Sequence, residues 1–165
     1  MACGRWETSL QAHRAFEQGI TIAEKIAGAD SKPVLDDTVP QVVFSFPEAA
    51  SVGLTLDRAK AREDVVEPKE TAYPMLSNAR MLMSGEGGSM TVVSGAFANN
   101  PDMQVVLGVH IVSPIASDLI AEAEQLVGNR VPLADAARLI HPHPTFSETL
   151  GEALLKADGR PLHTR

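Results

Sequence analysis

Hydrophobic positions along this chain recur at two spacings, and each change of spacing marks an element. Ala12, Phe16, Ile20, Ala23 and Ala27 return every three or four residues, the signature of one helical face over 12–27, and Gly28 follows as a stop. Residues 29–40 hold two prolines and three aspartates and read as a linker. From Gln41 to Phe46 the spacing drops to two, with Val42, Phe44 and Phe46 on one side, until Pro47 ends the run. Thr55 is placed to cap a short helix reaching Arg62. Val65–Tyr73 reads as a strand, Gly85, Gly87 and Gly88 as a turn, and Met90–Phe97 as a second strand.

Asn99-Asn100-Pro101-Asp102 carries turn chemistry, and Val105–Val112 beyond it is apolar on both faces. Such a strand belongs in the middle of a sheet with cover on each side. The short connection makes it the antiparallel partner of Met90–Phe97. Ile115–Val127 is amphipathic: Ile115, Leu119, Ala123, Leu126 and Val127 point inward, while Asp118, Glu122 and Glu124 stay in water. Shorter helices are predicted over Leu133–Ile140 and Thr145–Ala157, with a tail after Arg160. The fold class that follows is α+β, an antiparallel sheet flanked by helices.

Composition narrows the function classes. With 44% hydrophobic and 21% charged residues over 165 positions, the chain can bury a core. Aromatics make up only 4%, so aliphatic residues and methionines such as Met75, Met81, Met83 and Met90 must fill it. The net charge of −7, with no cluster of Lys or Arg, argues against nucleic acid as a partner. The longest apolar run, Val105–Val112, falls far short of the ~20 residues of a membrane helix, so no membrane partner is expected. Cys3 is the single cysteine, which rules out an intrachain disulfide or a thiolate metal cage. No basic and apolar leader follows Met1, and a cytoplasmic location is the expectation.

Candidate chemistry concentrates in Ile140-His141-Pro142-His143-Pro144-Thr145-Phe146-Ser147-Glu148. An imidazole held by a carboxylate is a good general base near neutral pH, and prolines on both sides of His143 restrict its backbone. Thr145 and Glu148 also match a capping box, in which Glu148 merely starts a helix. Both readings stay open, since a carboxylate in a first helical turn can still reach a ring just upstream. His141 and His143 form an HxH pair, but a closed zinc site needs ~4 ligands and no cysteine stands nearby, so no metal is expected. Gly85-Glu86-Gly87-Gly88 lacks the strand–loop–helix setting of a phosphate cradle.

The His-Pro-His-Pro-Thr-Phe-Ser-Glu segment at 141–148 resembles the C-terminal signature of the pyridine nucleotide-disulfide oxidoreductases, most closely their dihydrolipoamide dehydrogenase branch. Three further stretches are similar and stand in the family's order: Val39–Thr55, Val106–Val112 with Ala116–Ile120, and Ala12–Gly19, which looks like the last helix of a flavin domain. The resemblance implies that His143 is the acid/base that deprotonates a lipoyl-type dithiol, freeing a thiolate to attack an enzyme disulfide. It implies that Glu148 orients the ring, that the His143–Pro144 bond is cis, and that each ring serves the other subunit of a two-fold dimer. In the parent enzyme it places FAD near Ala12, His13 and Pro144, and NAD as the other cofactor.

The glycine-rich flavin fingerprint and the redox cysteine pair of that family have no counterpart in this sequence. The chain therefore reads as three parts: residues 1–38, an arm holding one helix left over from a flavin-binding domain and a linker; residues 39–160, the dimerisation domain; residues 161–165, a tail. It is read as truncated, without cofactor or activity alone, partnered by its own copy or by a full-length flavoenzyme subunit. The alternative is a stand-alone dimerisation or binding module in which His143 is vestigial.

Overall fold

The computed structural model describes residues 11–164, so Cys3 and the rest of 1–10 lie outside the described residues. Helix α1 spans Ala12–Ile26, and Gly28 follows it at φ +75°, the left-handed stop its position predicts. The linker holds this helix through three contacts: His13 Nε2 to the Pro40 carbonyl, an Arg14–Asp36 ion pair, and the Thr21 hydroxyl to the Lys32 carbonyl. Among the described residues its periodic side chains meet no core, with Phe16 and Ile20 exposed.

Five antiparallel strands follow. They are β1 (Gln41–Val43), β2 (Glu48–Gly53), β3 (Val65–Pro74), β4 (Ser89–Phe97) and β5 (Asn100–Ser113), in the order β1-β2-β5-β4-β3. The doubly apolar strand is central, as its two faces require. The alternating run from Gln41 stops early, at Val43; Val42 is half-buried, while Phe44 and Phe46 are exposed on a bend before the cis Phe46–Pro47 bond. The hairpin turn is also tighter than predicted, with Phe97 facing Asn100, so Pro101 and Asp102 already lie in β5. Pro68 has no amide to donate, and the β3–β4 register shifts between Val66 and Lys69 around it.

The helices are α2 (Leu56–Lys60), α3 (Ala79–Ser84), α4 (Ala116–Gly128), α5 (Leu133–Ala136) and α6 (Glu148–Ala157). Thr55 caps α2 as expected, its hydroxyl accepting from the Arg58 amide at 3.3 Å. On α4, Leu119, Ala123, Leu126 and Val127 are buried, joined by Ala116 and Ile120. Glu48 of β2 reaches over to accept from the Ser117 amide at 2.8 Å, giving α4 a carboxylate at its N-terminus. Three predicted helices are shorter than their patterns suggest, α2 stopping at Lys60 instead of Arg62. The one from Leu133 ends at Ala136, and the one from Thr145 begins only at Glu148, leaving 137–147 as an irregular loop. A proline at 142 or 144 disfavours helical backbone at the residue before it.

One core unites β2, β4 and β5 with α4, α5 and α6, built from Val52, Val92, Val109, Ile111, Ile120 and Leu154 among others. Met75, Met81 and Met90 are buried there as gap-fillers, whereas Met83 is exposed. A smaller cluster on the other face, Leu54, Ala59, Val93, Val105 and Leu107, seats α2.

Gly53 and Gly108 face each other at the end of the β2–β5 pairing. A Cβ on Gly108 would fall 2.2 Å from the Leu54 carbonyl oxygen, and one on Gly53 2.2 Å from that of Leu107. Both obstacles are backbone, which cannot swing aside. Gly108→Ala is expected to lower the free energy of urea unfolding by about 3 kcal/mol or to prevent folding. Gly128→Ala, where the added carbon meets the flexible end of Glu124 and, at ordinary contact distance, the Thr38 methyl, is expected to leave it unchanged or raise it by up to about 1 kcal/mol.

Candidate active site

The irregular loop between α5 and α6 places His143 at its crest. The His143 side chain is 71% exposed, while that of Glu148 is only 21% exposed at the first residue of α6. His143 Nδ1 lies 2.9 Å from Glu148 Oε1. The second carboxylate oxygen, Oε2, accepts from the Thr145 amide at 2.7 Å. One carboxylate thus performs both tasks that the sequence left in competition. Its Oε2 makes the returning half of a capping box, and its Oε1 holds the imidazole. The other half of the box is absent: the Thr145 hydroxyl donates to the Pro142 carbonyl at 2.6 Å instead of accepting from a helix amide.

The chemistry follows from what each atom can do. An ionised carboxylate only accepts, so the proton between the two groups belongs to Nδ1, and the exposed Nε2 keeps its lone pair. Burial pushes the Glu148 carboxyl up, but the Thr145 amide and then the His143 ring outweigh it, and its pKa falls below the ordinary carboxylate value. Glu148 also sits in the first turn of α6, where the helix dipole favours negative charge. An exposed ring with a free Nε2, backed by a carboxylate whose pKa is held low, is suited to take a proton from a substrate at neutral pH. The His143–Pro144 peptide is cis, as the resemblance implies.

The remaining candidates are not gathered here. Ala12 and His13 open α1, and the His13 ring is engaged with the Pro40 carbonyl. Among the described residues no hydrogen bond links α1 to the loop of Pro144.

His141 and His143 do not share a ligand-binding position. His141 Nε2 lies 2.7 Å from Glu122 Oε1 on α4, its ring packed against Gly151 of α6. Among the described residues, no group of three or more His, Cys, Asp and Glu is arranged to hold a metal. Glu122 is thus half-buried and bonded, contrary to its expected place on a wet helix face. His110 is half-buried, with Nε2 3.1 Å from the Leu54 carbonyl. His163, in the tail beyond α6, has its Nδ1 2.7 Å from Glu152 Oε1 on α6.

Sequence reasoning missed a second hold on the loop. Asn78, 5% exposed, donates from Nδ2 to the Thr145 carbonyl at 3.1 Å. The next side chain but one, Arg80, lies over the Phe146 ring at 5.4 Å. The only local signal was an Asn followed by a short run ending at Gly85, the marks of a capped helix.

Known proteins share this arrangement of elements. The family described as pyridine nucleotide-disulphide oxidoreductase, dimerisation domain, matches residues 39–154. The chain belongs to that family. It is 39% identical to the dihydrolipoyl dehydrogenase of Bacillus subtilis over 153 residues, 92% of this chain and 31% of that protein. The dihydrolipoyl dehydrogenase of Cupriavidus necator is also 39% identical, over 93% of this chain and 31% of its own length. The chain thus spans about a third of the curated relatives it matches. Among solved structures, LpdA of Mycobacterium tuberculosis superposes with a TM-score of 0.74 at 28% identity, over 85% of this chain and 29% of that one. The predicted α+β class is that of the family. The chain is a dimerisation domain of dihydrolipoamide dehydrogenase-like disulfide oxidoreductases.

The His141–Glu122 bond has a pH signature. The bond to Glu122 raises the His141 pKa above its ordinary 6.5, against burial, with further help from the charges of Glu122 and Glu148 and the Leu139 backbone. A raised histidine pKa contributes stability that is complete below pH 6.5 and is lost as pH climbs through the raised value. Urea unfolding followed from pH 6 to 9 is expected to show this falling limb. Glu122→Gln should flatten most of it, since the amide keeps a hydrogen bond but no charge, leaving only the smaller contributions of Glu148 and the Leu139 backbone.

Proposed function

We propose that this domain supplies His143 as the acid/base, with Glu148 as its orienting carboxylate, to a disulfide oxidoreductase that oxidises a lipoyl-type dithiol. The observation that supports it most is the bond from His143 Nδ1 to Glu148, which leaves Nε2 free at the exposed crest. In the forward step Nε2 takes the proton of one substrate thiol. The thiolate so formed attacks a protein disulfide, one new sulfur–sulfur bond forms, and one cysteine sulfur departs as a thiolate. The imidazolium, stabilised by Glu148, is then the acid for the reverse transfer.

The disulfide, with FAD and NAD, would belong to the parent enzyme, where the flavin would supply the redox chemistry that this chain's residues cannot. His143 would act on the partner subunit's site, in a homodimer or beside a full-length subunit. Ile140, three residues before His143, is 97% exposed, and Phe44 and Phe46 are 80% and 85% exposed. Bare apolar side chains of this size favour a partner surface, and one seated on Ile140 would bring its own cleft to the imidazole. The compartment proposed is the cytoplasm.

A chimera tests this reading, with residues 39–154 replacing the corresponding segment of the Bacillus subtilis relative. Dihydrolipoyl dehydrogenase activity is expected, and His143→Gln should lower kcat roughly 10²–10⁴-fold, the range of general acid/base contributions. An active chimera indifferent to His143→Gln would make the ring vestigial and leave a dimerisation module alone.

A further inference from the structure

We propose that Asn78 is a positioning residue for the acid/base loop, holding the peptide through which Glu148 and His143 are aligned; this rests on the function proposed for His143. Residues 141–145 are fixed at both ends and bare between them. At the near end, His141 is bonded to Glu122 of α4. At the far end, the Thr145 carbonyl accepts from Asn78 Nδ2, and the Thr145 amide donates to Glu148 Oε2. Glu148 Oε1 then meets the ring. Asn78, Thr145, Glu148 and His143 thus form one connected series, and Asn78 is its member anchored in the sheet-bearing body of the domain.

The residue type is explained only by this double duty. Asn78 Oδ1 accepts from the Arg80 and Met81 amides at 2.9 and 3.1 Å, capping α3. Aspartate or serine would serve that purpose as well. Neither offers the amide donor that spans to Thr145, 67 residues away in sequence. Asn78 is buried, so its bond to Thr145 is shielded from competing water. Arg80, one step along α3, grips the adjacent Phe146 ring and keeps the same stretch of loop in place. With the Nδ2 donor gone, the Thr145 carbonyl loses its tether. The Thr145 amide is then free to turn from Glu148, and the carboxylate loses the partner that fixes its angle toward His143.

Amide hydrogen exchange and carboxyl NMR titration on the isolated chain test this in Asn78→Ser and Asn78→Asp, both of which keep an oxygen cap on α3. We expect the Arg80 and Met81 amides to exchange as in the parent chain. The Thr145 amide should exchange at least about tenfold faster. In Asn78→Ser, which adds no charge, the Glu148 titration should also move upward toward the ordinary carboxylate range. A purely structural cap would move neither Thr145 nor Glu148. If Asn78→Ser does not fold, the isosteric Asn78→Asp decides on Thr145 exchange. Thr145 exchange within twofold of the parent, with α3 intact, would overturn the assignment. Glu148→Ala, which leaves no side-chain oxygen for the Thr145 amide, separates the two ideas. If it accelerates Thr145 exchange while the Asn78 variants do not, only the role of Asn78 falls. If it changes nothing, the Thr145–Glu148–His143 unit is itself refuted, and the function proposed for His143 falls with it.

Discussion

The carboxylate of Glu148 is the constraint on which the functional end of this molecule turns. Its two oxygens point to different partners, Oε1 to the His143 ring and Oε2 to the Thr145 amide, so the group cannot rotate without losing one of them. Charge-assisted hydrogen bonds of this kind are roughly twice as strong as neutral ones, and the first turn of α6 adds the favourable end of a helix dipole. Helix initiation and imidazole orientation become a single event. A loop that would otherwise be free to wander acquires a defined crest because the helix beside it needs the same carboxylate.

That crest is only as firm as what lies beneath it. The first turns of α6 are seated in the main core by Leu150, Ala153 and Leu154, all at most 1% exposed. Its other polar anchor, Glu152, is tied to His163 one helical turn further on. The sheet below depends on β5 lying at its centre, and β5 reaches that place because two glycines allow its backbone to touch that of β2. The same α4 that covers β2 and β5 carries Glu122, which holds the near end of the loop through His141. Sheet, cover helices and loop therefore form one mechanical series from a close backbone approach to an exposed nitrogen.

How much of this was legible in the sequence depended on distance along the chain and on burial pattern. α4 was readable because one face is buried and the other is not, and β5 because both of its faces are apolar. β2 was missed: Glu48-Ala-Ala-Ser-Val-Gly53 is made of small residues with no clear alternation, and it is a strand because β1 and β5 pair with it on either side. α3 was missed because six residues leave no room for periodicity. The exposed Phe16 on α1 shows the opposite failure, a periodic face with no core among the described residues to receive it. At the site, His143 and Glu148 were visible because five residues separate them. Glu122 and His141 are 19 apart and Asn78 and Thr145 67 apart, so only the fold could bring them together. Local sequence revealed the reactive group, and tertiary structure revealed what holds it.

The most direct measurement is the protonation pattern of the His143 ring at neutral pH, read from long-range nitrogen–proton NMR couplings on the isolated chain. A ring aligned by Glu148 carries its proton on Nδ1, leaving Nε2 unprotonated and turned to the outside, and substitution of Glu148 should abolish that preference. A neutral ring found predominantly with its proton on Nε2 would contradict the alignment, because the nitrogen offered to substrate would then be unable to accept a proton.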